Sequence, residues 1–148
     1  MAKRHKPLPS VSRTSGSARS DVLSSGKQLA SEFINRQRYE DALLVVQRLA
    51  VDYPEDPDVL MMLGICTYSQ GDLFAAIANF ERAYTRGRNP RALYPLGVAC
   101  LQRKMLGSAL HAFNESQRQG LPIPADMQPA LAQLRRDVGA IAPHLRLP

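Results

Sequence analysis

The sequence has no tryptophan, only two cysteines in 148 residues, and an aromatic fraction of 6%. Its apolar runs are shorter than the roughly 18 residues that a membrane-spanning helix needs, so we expect no membrane segment. Cys66 and Cys100 lie far apart, without a C-x-x-C pair or a nearby pair of histidines, which argues against a zinc site. Both occupy apolar positions of helical patterns. We therefore predict buried free thiols, which are typical of a reducing compartment such as the cytoplasm.

Acidic residues are missing from the first 20 positions, which hold five basic ones: Lys3, Arg4, Lys6, Arg13 and Arg19. The net charge of +6 belongs largely to this segment, because the remainder holds 14 basic and 13 acidic residues. Residues 1–20 are rich in Ser, Arg and Pro and offer almost nothing to bury, so we predict a disordered basic tail. A secretory signal requires an apolar stretch after its positive charges, and this segment has none, so we do not expect a signal peptide.

The sequence also lacks the patterns of catalysis. His5, His111 and His144 are scattered, and none pairs with a cysteine or serine in an arrangement suited to nucleophilic attack. There is no glycine-rich phosphate loop and no carboxylate pair on an apolar background. We expect a protein that is not an enzyme, with no catalytic residue, metal, cofactor or small-molecule substrate.

A period of about 34 residues organises the chain. Small, aromatic and leucine positions return in one register: Leu29-Ala30, Leu63-Gly64 and Leu96-Gly97; Ala42, Ala76 and Ala109; Val46, Phe80 and Phe113; Tyr39, Leu73 and Leu106. This spacing resembles the tetratricopeptide repeat (TPR), a pair of antiparallel helices that stacks on its neighbours. The resemblance implies an all-α, right-handed solenoid that binds other proteins.

The predicted boundaries follow the turn residues. The repeat domain extends over residues 21–140, with three repeats at 23–56, 57–89 and 90–123. A last amphipathic segment, at about 125–138, carries Met127, Leu131, Leu134 and Val138 on one stripe. We expect it to be a capping helix over the open end of the third repeat, because a solenoid needs one. Residues 141–148 are left as a C-terminal tail.

The first helices of stacked repeats line a concave face, and their surplus apolar positions predict a groove there. Two helical stripes lie at equivalent positions of repeats two and three: Met61, Ile65 and Tyr68, and Tyr94, Val98 and Leu101. Methionine and tyrosine adapt to varied partners, so this surface suits an extended apolar peptide. The alternative is that the N-terminal arm or a second subunit of a homodimer covers the same face.

Some repeats of this kind bind a C-terminal carboxylate through a clamp of five polar and basic residues. Lys27 and Arg91 match two of those positions, and we include both as candidate partner-binding residues. Ser31, Met62 and Pro95 occupy the other three, which removes most of the charge-assisted hydrogen bonding that the clamp needs.

A narrower resemblance follows from the first and third repeats. Residues 33–42, FINRQRYEDA, and residues 91–97, RALYPLG, followed by Leu101, Ala109 and Phe113, are similar to the bacterial type III secretion chaperones of translocator proteins. This resemblance implies a small cytoplasmic chaperone, often dimeric, that holds an apolar segment of a secretion substrate in the concave groove. The alternatives are a general TPR assembly scaffold, or an adaptor whose basic tail contacts nucleic acid or an anionic membrane. The tail has no interleaved aromatic residues, so nucleic-acid binding is the less favoured.

One stretch of the body is also one-sided in charge. No acidic residue lies between Glu81 and Glu115, whereas six basic ones do: Arg82, Arg86, Arg88, Arg91, Arg103 and Lys104. The sequence alone allows a solvated face or a contact with an acidic partner or phosphates.

Overall fold

A computed structural model describes residues 11–145, with side chains described over residues 16–141. Its seven α-helices in this range are α1 (Val11–Asn35), α2 (Tyr39–Asp52), α3 (Pro57–Ser69), α4 (Leu73–Thr85), α5 (Leu93–Gln102), α6 (Leu106–Arg118) and α7 (Gln128–Leu145). Short 3₁₀ turns at Pro90–Ala92 and Ala125–Met127 precede α5 and α7. Helices α1–α2, α3–α4 and α5–α6 form the three expected pairs, and α7 packs on α6. The architecture is the all-α solenoid that the repeat predicts.

Glycine residues set the close approach of the two helices within the second and third pairs. Gly64 of α3 lies against the ring of Phe80 in α4, and Gly97 of α5 lies against Phe113 in α6 in the same way. Both rings are about 1% exposed. The repeated glycine and aromatic positions therefore form matching contacts between the two helices of a repeat.

The turns inside the repeats share one backbone feature. Gln37, Gly71 and Lys104 occupy equivalent positions, and their φ angles are 59°, 81° and 58°. A positive φ directly after a helix allows the chain to reverse, and glycine adopts it without strain. The second repeat alone uses glycine at this position.

The turn between repeats one and two starts α3 at a well-defined residue. Asp56 is the N-cap, and its carboxylate accepts hydrogen bonds from the backbone N–H groups of Asp58 and Val59 at 3.0 and 3.1 Å. Pro57 occupies the first helical turn, where its missing N–H costs nothing. Because the start of α3 is held in this way, its apolar stripe faces a defined direction.

The core is divided in two. The larger cluster joins repeats two and three to α7, and includes Phe80, Phe113, Leu131 and Leu134. Met127 and Val138 pack against it, so the stripe expected on the last helix faces the core. A smaller cluster, formed by Ala30, Val46, Leu49 and Val59, joins repeat one to α3.

The ends differ from the predicted boundaries. Helix α1 begins at Val11, so residues 11–20 of the expected disordered tail are helical, and residues 1–10 lie outside the described residues. The Tyr53 hydroxyl donates a hydrogen bond of 2.8 Å to the carbonyl of Arg19, which ties this extension to the end of α2. Helix α7 continues to Leu145, into the expected C-terminal tail. None of the described helices is both long and apolar enough to cross a membrane.

Candidate functional site

The concave groove is defined here by the six residues of the two predicted stripes. All six are half-buried and pack against the larger core cluster: Met61, Ile65, Tyr68, Tyr94, Val98 and Leu101. Because α3 and α5 are the first helices of adjacent repeats, the two stripes are neighbours, as the register requires. Each side chain keeps part of its surface free, and that free surface is apolar except for the tyrosine hydroxyls.

A cavity of about 230 Å³ opens between the two stripes. Four predicted residues line it: Ile65, Tyr68, Tyr94 and Val98. Met61 and Leu101 do not line this cavity. The cavity is large enough for one or two apolar side chains, and none of its lining residues is charged.

Phe80 and Pro95 complete the lining, and the sequence reasoning had not placed them at the site. Phe80 was identified only as a core residue, although the absence of a side chain at Gly64 leaves its ring edge within reach of the groove. Pro95 stands at a position where the carboxylate clamp would need a polar residue. Its ring makes that position apolar and removes a hydrogen-bond donor.

The two tyrosines are held by different contacts. The Gln102 side-chain amide donates a hydrogen bond to the Tyr68 hydroxyl, which links α3 to the end of α5. The Tyr94 ring lies 6.0 Å from the ring of Phe113, in a tilted arrangement. Burial raises the pKa of Tyr94, and the negative charge of Asp126 raises it further. The Tyr94 hydroxyl therefore stays protonated at neutral pH and can hydrogen-bond a peptide backbone.

Lys27 and Arg91 do not line the cavity. The Lys27 ammonium group binds Asp56 at 2.8 Å and Asp58 at 3.0 Å, so it is engaged at the start of α3. Partial burial lowers the pKa of Lys27, but the two carboxylates together outweigh that effect and raise the pKa above its usual value. Arg91 is exposed in the 3₁₀ turn before α5. The two cations therefore do not form a paired clamp beside the groove.

A second cavity, of about 510 Å³, lies between α4 and α6. Its floor includes Leu93, Leu96 and Cys100, and Glu81 and His111 stand among its polar lining residues. The sequence reasoning missed it. Gly107 of α6 lines this cavity, but its counterpart in repeat two, Phe74, is exposed, so comparison of the repeats gave no signal for it.

The two cysteine thiols lie inside the core. Cys66 and Cys100 are free and buried, as predicted. Burial raises the pKa of the Cys66 thiol to about 11, and it also raises the pKa of Cys100, where the charge of Glu81 adds to the effect. Among the described residues, no group of three or more His, Cys, Asp or Glu is placed to hold a metal ion.

Sequence comparison identifies one family. The family model described as anaphase-promoting complex, cyclosome, subunit 3 matches residues 35–116, which is just over half of the chain. The match begins at the last residue of α1 and ends in α6. No curated protein sequence matches the chain significantly.

Several solved structures share the fold. A complex of the Yersinia enterocolitica type III secretion chaperone SycD with a peptide of the translocator YopD has a TM-score of 0.64, with 23% identity over 82% of this chain and 93% of that one. PcrH in complex with the chaperone binding region of PopB has a TM-score of 0.62, with 21% identity over 93% and 99%. An alternative dimer of SycD from Yersinia enterocolitica has a TM-score of 0.64, with 23% identity over 86% and 96%.

Proposed function

The chain belongs to the TPR-type family described as anaphase-promoting complex, cyclosome, subunit 3, and we propose that it is a small cytoplasmic chaperone or adaptor that binds another protein. Its ligand is an extended apolar segment of a type III secretion substrate, held in the concave groove. No step of this function requires catalysis.

The observation that carries the proposal is the uncharged cavity lined by Ile65, Tyr68, Tyr94 and Val98. These residues are half-buried in a chain whose core is already filled by Phe80, Phe113 and their neighbours. Burial of one apolar anchor from a partner would stabilise the complex by about 1.5–3 kcal/mol, less the cost of ordering the peptide. Two or three such anchors along the groove would contribute about 3–9 kcal/mol before those costs are subtracted, and hydrogen bonds to the peptide backbone would add to this.

The tyrosine hydroxyls are the polar groups of the groove that can bind a peptide backbone. An extended segment keeps free backbone N–H and C=O groups, and these need partners once water is excluded. Tyr68 is positioned by Gln102, and the Tyr94 hydroxyl stays protonated, so both can bond a peptide backbone without a buried charge. A charged clamp at this place would instead select a carboxylate terminus.

The proteins of similar fold support the same kind of ligand. SycD has been seen with a peptide of the translocator YopD, and PcrH with the chaperone binding region of PopB. Their identity to this chain is below 25%, so they support the architecture and the use of the fold, while the groove residues are this chain's own.

A second copy of the chain is the other partner that we propose. Four exposed apolar residues lie on the first repeat: Val22 and Leu29 on α1, and Leu44 and Val51 on α2. Helix α7 covers the last repeat, but no described element covers the outer face of the first. A homodimer through this face would leave the concave groove open.

The deciding experiment removes the groove tyrosines. The chain would be used to capture partners from its native cytoplasm, with mass spectrometry to identify them, as the wild type and as Tyr68→Ala/Tyr94→Ala. One dominant secreted or membrane-active protein, captured by the wild type and lost from the variant, is the expected result. Circular dichroism should show that the variant keeps its helices. The matched control is Tyr39→Ala/Tyr84→Ala, which removes two half-buried tyrosines outside the groove.

A photo-crosslinker separates groove binding from other contacts. Placed at Val98 it should attach to the captured protein, whereas at Leu44, on the outer face of repeat one, it should not. Unchanged capture by the Tyr68→Ala/Tyr94→Ala variant would reject the groove. Partners that disappear when residues 1–10 are removed would assign the function to the basic tail instead.

A further inference from the structure

An exposed aromatic ring marks one edge of the solenoid. Phe74, in the first turn of α4, is 74% exposed. The guanidinium group of Arg103, at the end of α5, lies over this ring at 5.8 Å from its centroid. Lys104 and Met105 follow in the next turn, and Met105 is 41% exposed. We call these four residues the tip patch.

The fold does not require an aromatic residue at position 74. The equivalent residues are Glu40 in repeat one and Gly107 in repeat three, and both repeats form the same helix pair. The buried ring of repeat two is Phe80, one turn and a half further along α4. The exposed ring of Phe74 therefore does not contribute to the packing of the helix pair, and its exposure lowers solubility without stabilising the fold.

The basic side chains of the tip patch are uncommitted. Within the described part of the chain, Lys27, Arg38, Arg86 and Arg118 form salt bridges, whereas Arg103 and Lys104 form none. The acid nearest in sequence to Phe74 is Asp72, whose carboxylate accepts the backbone N–H of Ala75 at 3.0 Å and so caps α4. Among the described residues, the patch therefore presents two positive charges that have no carboxylate partner, beside two exposed apolar groups.

We propose that the tip patch docks the protein on an anionic lipid bilayer. An aromatic ring and a methionine that project from turn ends can enter the interface between headgroups and acyl chains, while neighbouring Arg and Lys bind the lipid phosphates. The stacking of Arg103 on Phe74 keeps charge and ring side by side, as this contact needs. The patch begins directly after the groove residue Leu101, whose backbone carbonyl accepts the N–H of Lys104 at 2.9 Å, so the two surfaces adjoin at the end of α5 but use different side chains.

The geometry favours a bilayer over an acidic peptide. A peptide that binds through an aromatic anchor usually places it, or receives it, in a pocket. Phe74 instead stands almost free, with Arg103 over one face and the rest of the ring open. A lipid interface can surround the Phe74 ring on all sides. Insertion into lipid would therefore remove more of the ring's apolar surface from water than a peptide lying flat against it.

The absence of tryptophan from the chain makes a direct test available. The full-length Phe74→Trp variant carries a single indole at the patch, and Ile141→Trp places one at an exposed apolar position of α7, outside the groove and the proposed dimer face. Each would be mixed with vesicles of phosphatidylcholine alone, or of phosphatidylcholine with phosphatidylglycerol. We expect a blue-shifted emission, quenched by brominated lipid, only for Phe74→Trp and only with the anionic vesicles.

Charge removal supplies the second arm. Arg103→Gln/Lys104→Asn, measured by vesicle co-sedimentation, should lower the partition coefficient about fivefold for each basic residue, since each contributes about 1 kcal/mol near an anionic surface. Asparagine tolerates the positive φ at position 104. The control Arg36→Gln/Arg48→Gln removes two exposed basic residues of repeat one and should leave vesicle binding unchanged.

Three outcomes would overturn the proposal. The first is that the protein does not bind the anionic vesicles. The second is that Arg103→Gln/Lys104→Asn binds them like the wild type, which would assign the binding to the basic tail. The third is that the indole at position 74 is shielded only when a protein partner is added. The Tyr68→Ala/Tyr94→Ala variant should bind vesicles like the wild type. Failure of the groove and failure of the patch are therefore distinguishable.

Discussion

The ring of Phe80 occupies the space that a side chain at Gly64 would need. A Cβ atom at Gly64 would lie 2.4 Å from Cε1 and 2.5 Å from Cδ1 of Phe80, well inside van der Waals contact. Gly97 stands in the same relation to Phe113, with 2.6 Å to Cε1. The repeat therefore depends on a missing side chain on one helix to accommodate a large one on the other.

Gly64→Ala should destabilise the protein by about 1–3 kcal/mol, because the added methyl group overpacks the contact with Phe80 and a close-packed core can make room for it only by moving side chains or backbone. Urea unfolding followed by circular dichroism would measure it. Gly107→Ala is the matched control, since its Cβ would meet nothing within 4 Å. That variant should be neutral or more stable by up to about 1 kcal/mol. An unchanged urea midpoint for Gly64→Ala would mean that the two helices separate more easily than the packing implies.

Asp56→Ala should remove the N-cap of α3 together with the 2.8 Å ion pair to Lys27. We expect a loss of about 1–2 kcal/mol in the free energy of unfolding, mostly from the two backbone N–H groups left without an acceptor. Asp58→Ala keeps the cap and removes only an exposed ion pair, so it should cost well under about 1 kcal/mol. Equal losses for the two variants would show that the ion pair, and not the cap, stabilises the start of α3.

The buried cysteines should be unreactive in the folded protein. With the pKa of Cys66 raised to about 11 by burial, its thiol remains protonated and inaccessible at neutral pH. Ellman's reagent should react with both thiols only as fast as the protein unfolds, and at once in denaturant. Rapid reaction of either thiol under native conditions would contradict the burial.

The same shifts predict a pH dependence. A thiol pKa that is higher in the folded than in the unfolded state contributes stability that is fully present below the unfolded value, near 9, and is lost as pH rises towards the folded value. The free energy of unfolding should therefore decline between pH 9 and about 11. In Cys66→Ala/Cys100→Ala that decline should be shallower, although tyrosines and lysines titrate in both proteins.

Tyr53→Phe should loosen the N-terminal extension of α1. It removes the 2.8 Å hydrogen bond from the Tyr53 hydroxyl to the carbonyl of Arg19, a contact outside either core cluster. Amide hydrogen exchange of residues 16–23 should become several-fold faster, while global stability changes little, because an exposed hydrogen bond has a small net value. Tyr39→Phe, in the first turn of α2, is the control. If exchange near Arg19 is unchanged, the extension is held by other contacts.

Much of the groove could be predicted because the repeat transfers position from one copy to the next. Once Leu63-Gly64 and Leu96-Gly97 were identified as core positions, the residues around them on each helix were necessarily surplus, and all six of those chosen pack half-buried on the core. The sequence could not show which four of these six residues line the cavity, or that Phe80 and Pro95 join them. Both facts depend on the distances between the helices. The register of the repeat tells which face of its helix a residue occupies, but not how far away the neighbouring helix lies.

Charged side chains were the least predictable. Lys27 matched a clamp position by register, yet its long, flexible chain reaches Asp56 and Asp58 at the start of the next helix. Similarly, the basic stretch after Glu81 separates in space, with Arg86 paired to Glu55 at 2.7 Å and Arg103 stacked on Phe74 at the edge of the solenoid. Contacts of this kind join residues about 30 positions apart, and no local pattern encodes them.

The sequence by itself determined the helix pairs, their order and the residues that face inward, because helical periodicity and the 34-residue repeat are local properties that survive without knowledge of any contact. The tertiary structure decided which polar groups pair, where a cavity remains, and how far the terminal helices extend. Those features depend on small differences in the distance between packed elements and on side chains that can reach several partners.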